Sequence, residues 1–206
     1  MLRLLRQLFR SSHPLDADNL GDQARDVNFR EIEDADIPTC LAIYRANEAA
    51  HFPAGHYEQY EKHLHQRASL TLLASRQGKP VGCCGIRYAT SAEGLTVGVL
   101  CYGMVDPAHQ RQGIGTAQLL VRLALLPVAD DLGIAIMLAV PNSVSFYRRF
   151  GFRFETSFME DAGMTYEAGT LKVSESFLDD CRAELAKRRI VFPDVRDRIP
   201  RQTQSE

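Results

Sequence analysis

The residues of this sequence best suited to chemistry are Gln110 to Thr116, which read Gln-Arg-Gln-Gly-Ile-Gly-Thr. An apolar run typical of a strand, Val97 to Val105, precedes them, and apolar residues at helical spacing follow, with Gln118 and Arg122 off the apolar face. The first N–H groups of a helix lack intrahelical partners and lie at the positive end of its dipole. Because glycines let a bulky anion approach that backbone closely, the stretch predicts a phosphate-binding turn.

Two better-known phosphate-binding motifs do not fit this stretch. A Walker A loop needs Gly-Lys-Ser/Thr at the helix start, and the dinucleotide fingerprint needs a glycine three residues after the second one, where Gln118 stands. The pattern that remains is Gln-x-x-Gly-x-Gly, beginning at Gln110. On its own, this pattern fits a tight turn without a ligand as well as it fits a binding site.

A second motif lies downstream and makes the first one more specific. An apolar run typical of a strand, Ile134 to Val140, leads into residues 142–152, which read Asn-Ser-Val-Ser-Phe-Tyr-Arg-Arg-Phe-Gly-Phe. In this order and at this separation, the two motifs resemble the acetyl-CoA-binding motif and the tyrosine-bearing signature of the GNAT N-acetyltransferase superfamily. The resemblance covers Asn28 to Val173.

The resemblance implies an α/β fold of the GNAT type. This fold has a mixed, mostly antiparallel sheet of about seven strands flanked by helices, with two parallel central strands splayed apart. Here those strands would end at Val105 and Val140. Unpaired strand backbone must find partners, and the pantetheine amides of CoA can supply them at Met104 and Val105. The N–H of Val105 would also polarise the thioester carbonyl.

The resemblance also implies acetyl-CoA as the co-substrate, with no metal. Backbone N–H groups of the turn would hold the pyrophosphate, and the side chain of Arg111 could add charge. The residues assigned to this role are Arg111, Gln112, Gly113, Ile114, Gly115 and Thr116.

Tyr147 matches the tyrosine that acts as the general acid in this superfamily. A phenol is a suitable proton donor to the departing thiolate of CoA in a dry site. The alternative is that Tyr147 belongs to the core, together with Phe146, Phe150 and Phe152. Family members often carry an asparagine seven residues before the tyrosine, where this chain has Val140. Asn142 is expected to cap the short helix instead.

The acceptor implied by the resemblance is a primary amine of a small molecule or peptide. An alkylamine is mostly protonated at pH 7, so its attack needs a base, acting directly or through water. Some polar residues lie in the segments that form the acceptor pocket in the superfamily. They are candidates for that pocket, and they are also compatible with solvated surface groups. They are Glu48, His51, His56, Tyr57, Glu155, Asp161 and Glu167.

Composition limits the class of protein. The 206 residues predict one domain with tails, and the net charge of −2 does not favour nucleic acid as a partner. No apolar run reaches the roughly 20 residues needed to span a bilayer. The five cysteines are odd in number and include no Cys-x-x-Cys, so they predict free thiols and a cytoplasmic protein. A homodimer is compatible with the sequence.

The elements that must position these motifs can also be read from the pattern. Helices are predicted from Ile37 to Ala50, Tyr57 to Gln66, Ala117 onward, and Phe177 to Arg189. Strands are predicted at Val27 to Ile32, Leu70 to Ser75, Val81 to Tyr88, Val97 to Val105 and Ile134 to Val140, with a closing hairpin from Phe152 to Phe158 and Met164 to Val173. Gly78 to Pro80 is expected to form the turn of the first hairpin.

Three segments are predicted. Residues 1–26 form a basic amphipathic start and a linker, 27–190 the N-acetyltransferase domain, and 191–206 a loosely held C-terminal tail. The first ten residues, rich in arginine and lacking acids, are compatible with a transit peptide, a membrane-surface helix or a terminal helix packed on the domain or on a partner.

The function expected is direct transfer of an acetyl group from acetyl-CoA to an amine. Two other functions remain compatible with the sequence. One is a non-catalytic acyl-CoA-binding or sensing module that acts through a protein partner. The other is a nucleotide-binding domain of a different kind, which would bind ADP as well as CoA.

Overall fold

The computed structural model describes residues 24–52, 55–90, 94–159 and 165–195. Within these ranges the strands are β1 Val27–Glu31, β2 Leu70–Arg76, β3 Lys79–Thr90, β4 Thr96–Val105, β5 Val128–Ala129, β6 Leu132–Ala139, β7 Arg153–Met159 and β8 Thr165–Val173. The helices are α1 Ile37–His51, α2 His56–His65, α3 Ile114–Ala124, α4 Pro141–Arg148 and α5 Glu175–Lys187. The predicted elements are therefore present, with ends shifted by a few residues.

Local sequence explains where several elements begin and turn. The β2–β3 hairpin turns at Gln77 and Gly78, both with positive φ (52° and 73°), one residue earlier than expected. Two consecutive residues in this conformation match the right-handed twist of the strands. Pro141 occupies the first turn of α4, where its missing N–H costs nothing. Ser174 caps α5, its Oγ accepting a hydrogen bond from the N–H of Phe177 at 3.3 Å.

The eight strands of the described residues form one mixed sheet in the order β1-β2-β3-β4-β6-β8-β7, with short β5 paired to β6. All pairs are antiparallel except β4 with β6, which α3 connects. This architecture confirms the predicted GNAT-like α/β fold. The sheet has one strand more than expected because residues 128–129 form a two-residue strand.

The two parallel strands separate before they end. Their pairing runs from Gly98 and Ala135 to Leu100 and Met137, although β4 continues to Val105 and β6 to Ala139. On the other side of β4, the pairing with β3 contains a bulge. Tyr102 lies at this bulge with φ of 41°, a left-handed conformation that is rare for a residue with a side chain. The bulge bends β4 where its contact with β6 is lost, so a gap opens in the sheet.

A separate apolar core covers each face of the sheet. One core lies under α3 and α5, and the other under α1 and α2. Cys84 belongs to the first core and Cys83 to the second, because successive strand residues point to opposite faces. All five cysteines are free thiols.

Both ends of the described chain are attached more firmly than the sequence indicated. Asp26 accepts two hydrogen bonds from the guanidinium of Arg189, at 2.6 and 2.8 Å. The N–H of Val191 donates to the carbonyl of Val27 at 3.0 Å, and Val195 is 2% exposed. The expectation of a loose tail is therefore wrong for residues 191–195, because backbone pairing to β1 and apolar burial hold them. The three-segment division itself stays a prediction, and residues 1–23 and 196–206 lie outside the described part.

Candidate active site

The gap between β4 and β6 is a cavity of about 270 Å³. Four of the residues predicted from sequence line it: Met104, Val105, Gly115 and Tyr147. They come from β4, α3 and α4, which are separate in sequence. The structure therefore brings the glycine-containing turn, the divergent strand and the tyrosine to one place.

The turn that leads into α3 has the backbone geometry of an anion site. Arg111 and Gly113 both have positive φ, 59° and 76°, and Gly113 forms the N-cap of α3. The N–H of Ala117 donates to the carbonyl of Gly113 at 3.0 Å, and the structure records no acceptor within the described ranges for the N–H groups of residues 111–116. Alternating left- and right-handed residues point successive N–H groups into one concavity, which suits a phosphate.

The side chains of this turn contribute less than its backbone. Those of Ile114 and Thr116 are buried, whereas that of Arg111 is exposed. Gln112 is held by Arg76 Nη1, which donates to its Oε1 at 3.3 Å, and its own Nε2 donates to the carbonyl of Ala108. The exposed side chain of Arg111 can add a charge to the backbone site, and the Arg76 guanidinium lies next to it on Gln112.

The two glycines of the motif have different surroundings. A Cβ on Gly113 would lie 2.9 Å from the backbone nitrogen and from the Cβ of Ala24, and the positive φ disfavours any other residue. A Cβ on Gly115 would come no nearer than 3.9 Å to Phe146 and Val105. Gly113 is thus required by the fold, whereas Gly115 leaves open space beside the cavity.

The end of β4 is held by two polar side chains: Asn47, which the sequence analysis did not identify, and Gln110, the first residue of the motif. The carbonyl of Val105 accepts hydrogen bonds from Asn47 Nδ2 at 3.1 Å and from Gln110 Nε2 at 3.3 Å. The N–H of Asp106 donates to the carbonyl of Val81 at 3.0 Å. Because hydrogen-bonded and non-hydrogen-bonded pairs alternate along antiparallel strands, the preceding pair, Val105 with Gly82, is a non-hydrogen-bonded pair. The N–H of Val105 therefore points away from β3, toward the gap.

Gln118 is a second anchor inside the cavity. Its Nε2 donates to the carbonyls of Met104 at 2.7 Å and Cys83 at 3.2 Å, and the residue is 1% exposed. The sequence had left it off the apolar face of the helix. The nearly continuous apolar character of α3 was the missed signal, because a helix that is apolar all round is buried.

Tyr147 lies on α4 and is both a core residue and part of the cavity wall. It is 8% exposed, and its ring meets Phe146 and Phe152 edge to face, with centroids 4.9 and 5.7 Å apart. Its hydroxyl takes part in no hydrogen bond with the described residues. The aromatic neighbours fix the ring, so the phenol is held against the gap.

The expected capping role of Asn142 is wrong. Val140 is the N-cap of α4, and Pro141 fills the first helical position. Asn142 Nδ2 instead donates to the carbonyl of Ala50 at 3.3 Å, which links α4 to the end of α1.

On the side of α1, the cavity wall contains Asn47, His51, Phe52, Tyr102 and Tyr166. Of the acceptor-side candidates, His51 alone lines the cavity among the described residues. Glu48, His56, Tyr57, Glu155 and Glu167 lie elsewhere, and Asp161 is outside the described residues.

His63 supports this wall from behind. Its ring packs edge-on against Tyr102 with centroids 4.9 Å apart. Burial lowers the pKa of His63 below its usual value, and the charge of Arg87 adds to the effect.

The comparison with known families decides the classification. The model of the Acetyltransferase (GNAT) family matches residues 37–152, more than half of the chain, including the turn and Tyr147. The chain belongs to this family. It is a GNAT acetyltransferase, a class that uses acetyl-CoA, and the matched range contains α1, α3, α4, β4 and β6.

Solved structures agree with the GNAT fold. The chain superimposes on Arabidopsis thaliana Naa50, in complex with a bisubstrate analogue, with a TM-score of 0.55 at 14% identity, covering 71% of this chain and 98% of the other. A GNAT acetyltransferase from Desulfovibrio desulfuricans superimposes with a TM-score of 0.55 at 19% identity, covering 72% of this chain and 99% of the other. Ard1 from Thermoplasma volcanium superimposes with a TM-score of 0.52 at 17% identity, covering 73% of this chain and 99% of the other. At these identities the likeness shows the fold alone.

No curated protein sequence matches this GNAT domain. No helix within the described residues is long and apolar enough to cross a membrane.

Proposed function

We propose that this GNAT protein transfers the acetyl group of acetyl-CoA to a primary amine by direct attack. The observation that carries the proposal is the meeting of three features around one cavity: a turn whose N–H groups have no acceptor among the described residues and which reaches the cavity at Gly115, the end of β4 that is no longer paired with β6, and Tyr147. Their convergence is best explained by a ligand with a phosphate end and an amide-bearing arm.

The residues fit CoA on physical grounds. The N–H groups of residues 111–116 suit the pyrophosphate, and the exposed side chain of Arg111 can add a positive charge. The gap beyond Leu100 and Met137 leaves the free edges of β4 and β6 to pair with pantetheine amides, with Met104 and Val105 as the pairing positions. The open space above Gly115 lets the arm pass from the turn into the gap.

Acetyl-CoA supplies an activated acyl carbon and a sulfur leaving group. The Val105 N–H, which points into the gap, donates to the carbonyl oxygen as negative charge develops there. The amine nitrogen forms its bond to the carbonyl carbon as the carbon–sulfur bond breaks. Tyr147 then gives its proton to the sulfur, and the proton lost by the amine restores the phenol through water.

The acceptor approaches from the side of α1, where the cavity wall is aromatic and polar. We propose a small-molecule or peptide amine, with His51 as the group able to take, directly or through water, the proton that the alkylammonium loses before it attacks. We expect neither nucleic acid as a partner nor a membrane-spanning segment. The homodimer and the cytoplasmic location expected from the sequence stay predictions.

Titration with CoA, acetyl-CoA and ADP, followed by thiol release over a panel of amines, tests this function. The proposal expects CoA and acetyl-CoA to bind at least about tenfold tighter than ADP, because ADP lacks the arm that fills the gap. It also expects thiol release with at least one amine. Tight acetyl-CoA binding without release for any amine would instead indicate the non-catalytic acyl-CoA-binding module.

A further inference from the structure

Arg122 is a buried cation in the wall of the same cavity. It lies on α3 one turn beyond Gln118, and it is 2% exposed. Its Nε donates to the carbonyl of Gln118 at 3.1 Å, and the structure gives its two terminal nitrogens no hydrogen-bond partner among the described residues. A guanidinium has five N–H donors and stays charged at any ordinary pH. Most of the binding capacity of this side chain is therefore unused.

No carboxylate among the described lining residues balances this charge. Arg122 is the one Arg or Lys among the described residues that line the cavity, and none of the described lining residues is Asp or Glu. Buried charges in proteins are ordinarily paired, because removing an ion from water costs several kcal/mol. A buried arginine that faces a cavity without an acid points to an anionic ligand.

Gly103 gives the guanidinium its position. A Cβ on Gly103 would lie 2.9 Å from Nη2 and 3.2 Å from Nη1 of Arg122, so any larger residue would displace them. Gly103 follows the bulge at Tyr102, and the last paired residues of the two strands, Leu100 and Met137, also line the cavity. The guanidinium is thus held against the bulged part of β4, in the wall of the gap.

The location excludes the phosphates of CoA as the anion. Arg122 is eight residues along α3 from Ile114, which corresponds to about 12 Å of helix from the phosphate-binding turn. The pantetheine arm between these points carries no charge. The remaining part of the donor that can present a carboxylate here is the acyl group itself.

We propose that Arg122 binds the terminal carboxylate of a short dicarboxylic acyl group, so that the site accepts malonyl- or succinyl-CoA in addition to acetyl-CoA. This inference rests on the proposed function. In the transfer, the amine nitrogen bonds to the thioester carbonyl carbon, the carbon–sulfur bond breaks, and CoA leaves as the thiol with the proton from Tyr147. The distal carboxylate stays ionised on Arg122 throughout, and no further reactant is needed.

Calorimetric titration of the full chain without acceptor tests the inference independently of turnover. Succinyl-CoA is compared with valeryl-CoA, which has a similar length and no charge. We expect succinyl-CoA to bind at least about tenfold more tightly than valeryl-CoA, because its carboxylate accepts charge-assisted hydrogen bonds from the guanidinium. In Arg122→Met the preference should reverse, because an apolar wall favours valeryl.

Two further variants separate charge from fold. Gly103→Ala keeps the charge but pushes the guanidinium aside, so it should reduce the succinyl preference several-fold. Arg87→Met, an exposed arginine of β3, removes the same charge outside the cavity and should leave the preference unchanged. The melting temperature of Arg122→Met should not fall, because an unpaired buried charge contributes no stability.

Each other outcome overturns the inference. If Arg122→Met weakens acetyl-, valeryl- and succinyl-CoA equally, Arg122 contacts CoA itself or its departing sulfur. If it lowers the melting temperature and leaves the succinyl preference intact, Arg122 is a structural residue. If all the thioesters bind but none is transferred, the proposed function alone is contradicted. If none of the thioesters binds, both the proposed function and this inference are contradicted.

Discussion

Asn47 on α1 donates a hydrogen bond of 3.1 Å from Nδ2 to the carbonyl oxygen of Val105, at the free end of β4. The same Nδ2 donates to the carbonyl of Ile43 at 2.8 Å, within α1, and Asn47 is 4% exposed. Beyond the bulge, β4 is no longer paired with β6. The helix therefore takes over part of the support that a paired strand would provide, and it fixes the direction of the Val105 N–H.

Replacing Asn47 by Leu should reduce turnover more than stability. Leucine has a similar branched shape but makes none of the three hydrogen bonds of Asn47, which join it to Ile43, Val105 and Gln110, while the Val105 carbonyl retains Gln110. We expect the free energy of unfolding to fall by about 1–2 kcal/mol. We expect kcat to fall about tenfold, because a misdirected N–H supports the developing charge poorly. Urea unfolding and kcat on the same sample provide the measurements, and an unchanged kcat would contradict the role of Val105.

Gly115→Glu should weaken acetyl-CoA binding without unfolding the protein. The open space around Gly115 accepts a side chain, and its carboxylate would occupy the position of the pyrophosphate at the start of α3. Repulsion between like charges at this range should weaken binding roughly tenfold or more. The melting temperature should hold or rise, since an acid at a helix N-terminus is favourable.

Gly115→Ala provides the control for this charge effect. It adds one carbon in open space and should change affinity less than the glutamate does. If Gly115→Glu binds acetyl-CoA as the wild type does, the turn is not the phosphate site.

The sequence was sufficient for the parts of the site that depend on local backbone chemistry. Glycines at positions 113 and 115 after a strand predict an N–H cluster, and Tyr147 follows from the second motif. The bulge at Tyr102 could not be predicted, because its left-handed φ is imposed by the sheet against the preference of tyrosine. Residues that depend on this bulge, such as Gly103, were missed for the same reason.

Arg122 and Gln118 show a second limit. Polar residues off the apolar face of a helix ordinarily face water, and the sequence analysis placed both residues off that face. The structure buries them because α3 lies between the sheet and α5, which leaves the helix little solvent-facing surface. Only the tertiary arrangement shows that this polar face meets a gap in the sheet.

His63 should make the folded state less stable in mild acid. Its pKa is lowered in the fold, mainly by burial, so below the pKa of the unfolded chain, about 6.5, the unfolded state binds more protons. The part of the free energy of unfolding that depends on neutral His63 should therefore be fully present above that pH, and it should be lost as the pH drops toward the folded pKa. His63→Gln should lose less stability than the wild type between pH 7.5 and 5.5 in urea titrations. Equal losses in the two proteins would show that His63 titrates normally.

The most direct test of the proposed mechanism is kcat of Tyr147→Phe, measured with acetyl-CoA affinity and melting temperature on the same preparation. A positioned general acid contributes typically about 10²–10⁴-fold, and we expect a loss near the lower end because water can partly replace the phenol. Acetyl-CoA affinity should stay nearly unchanged. Tyr88→Phe is the matched control, since its hydroxyl donates to the Leu125 carbonyl at 2.9 Å, away from the cavity, and should affect stability and not rate. A folded Tyr147→Phe protein with wild-type kcat would contradict the assignment of Tyr147 as the general acid.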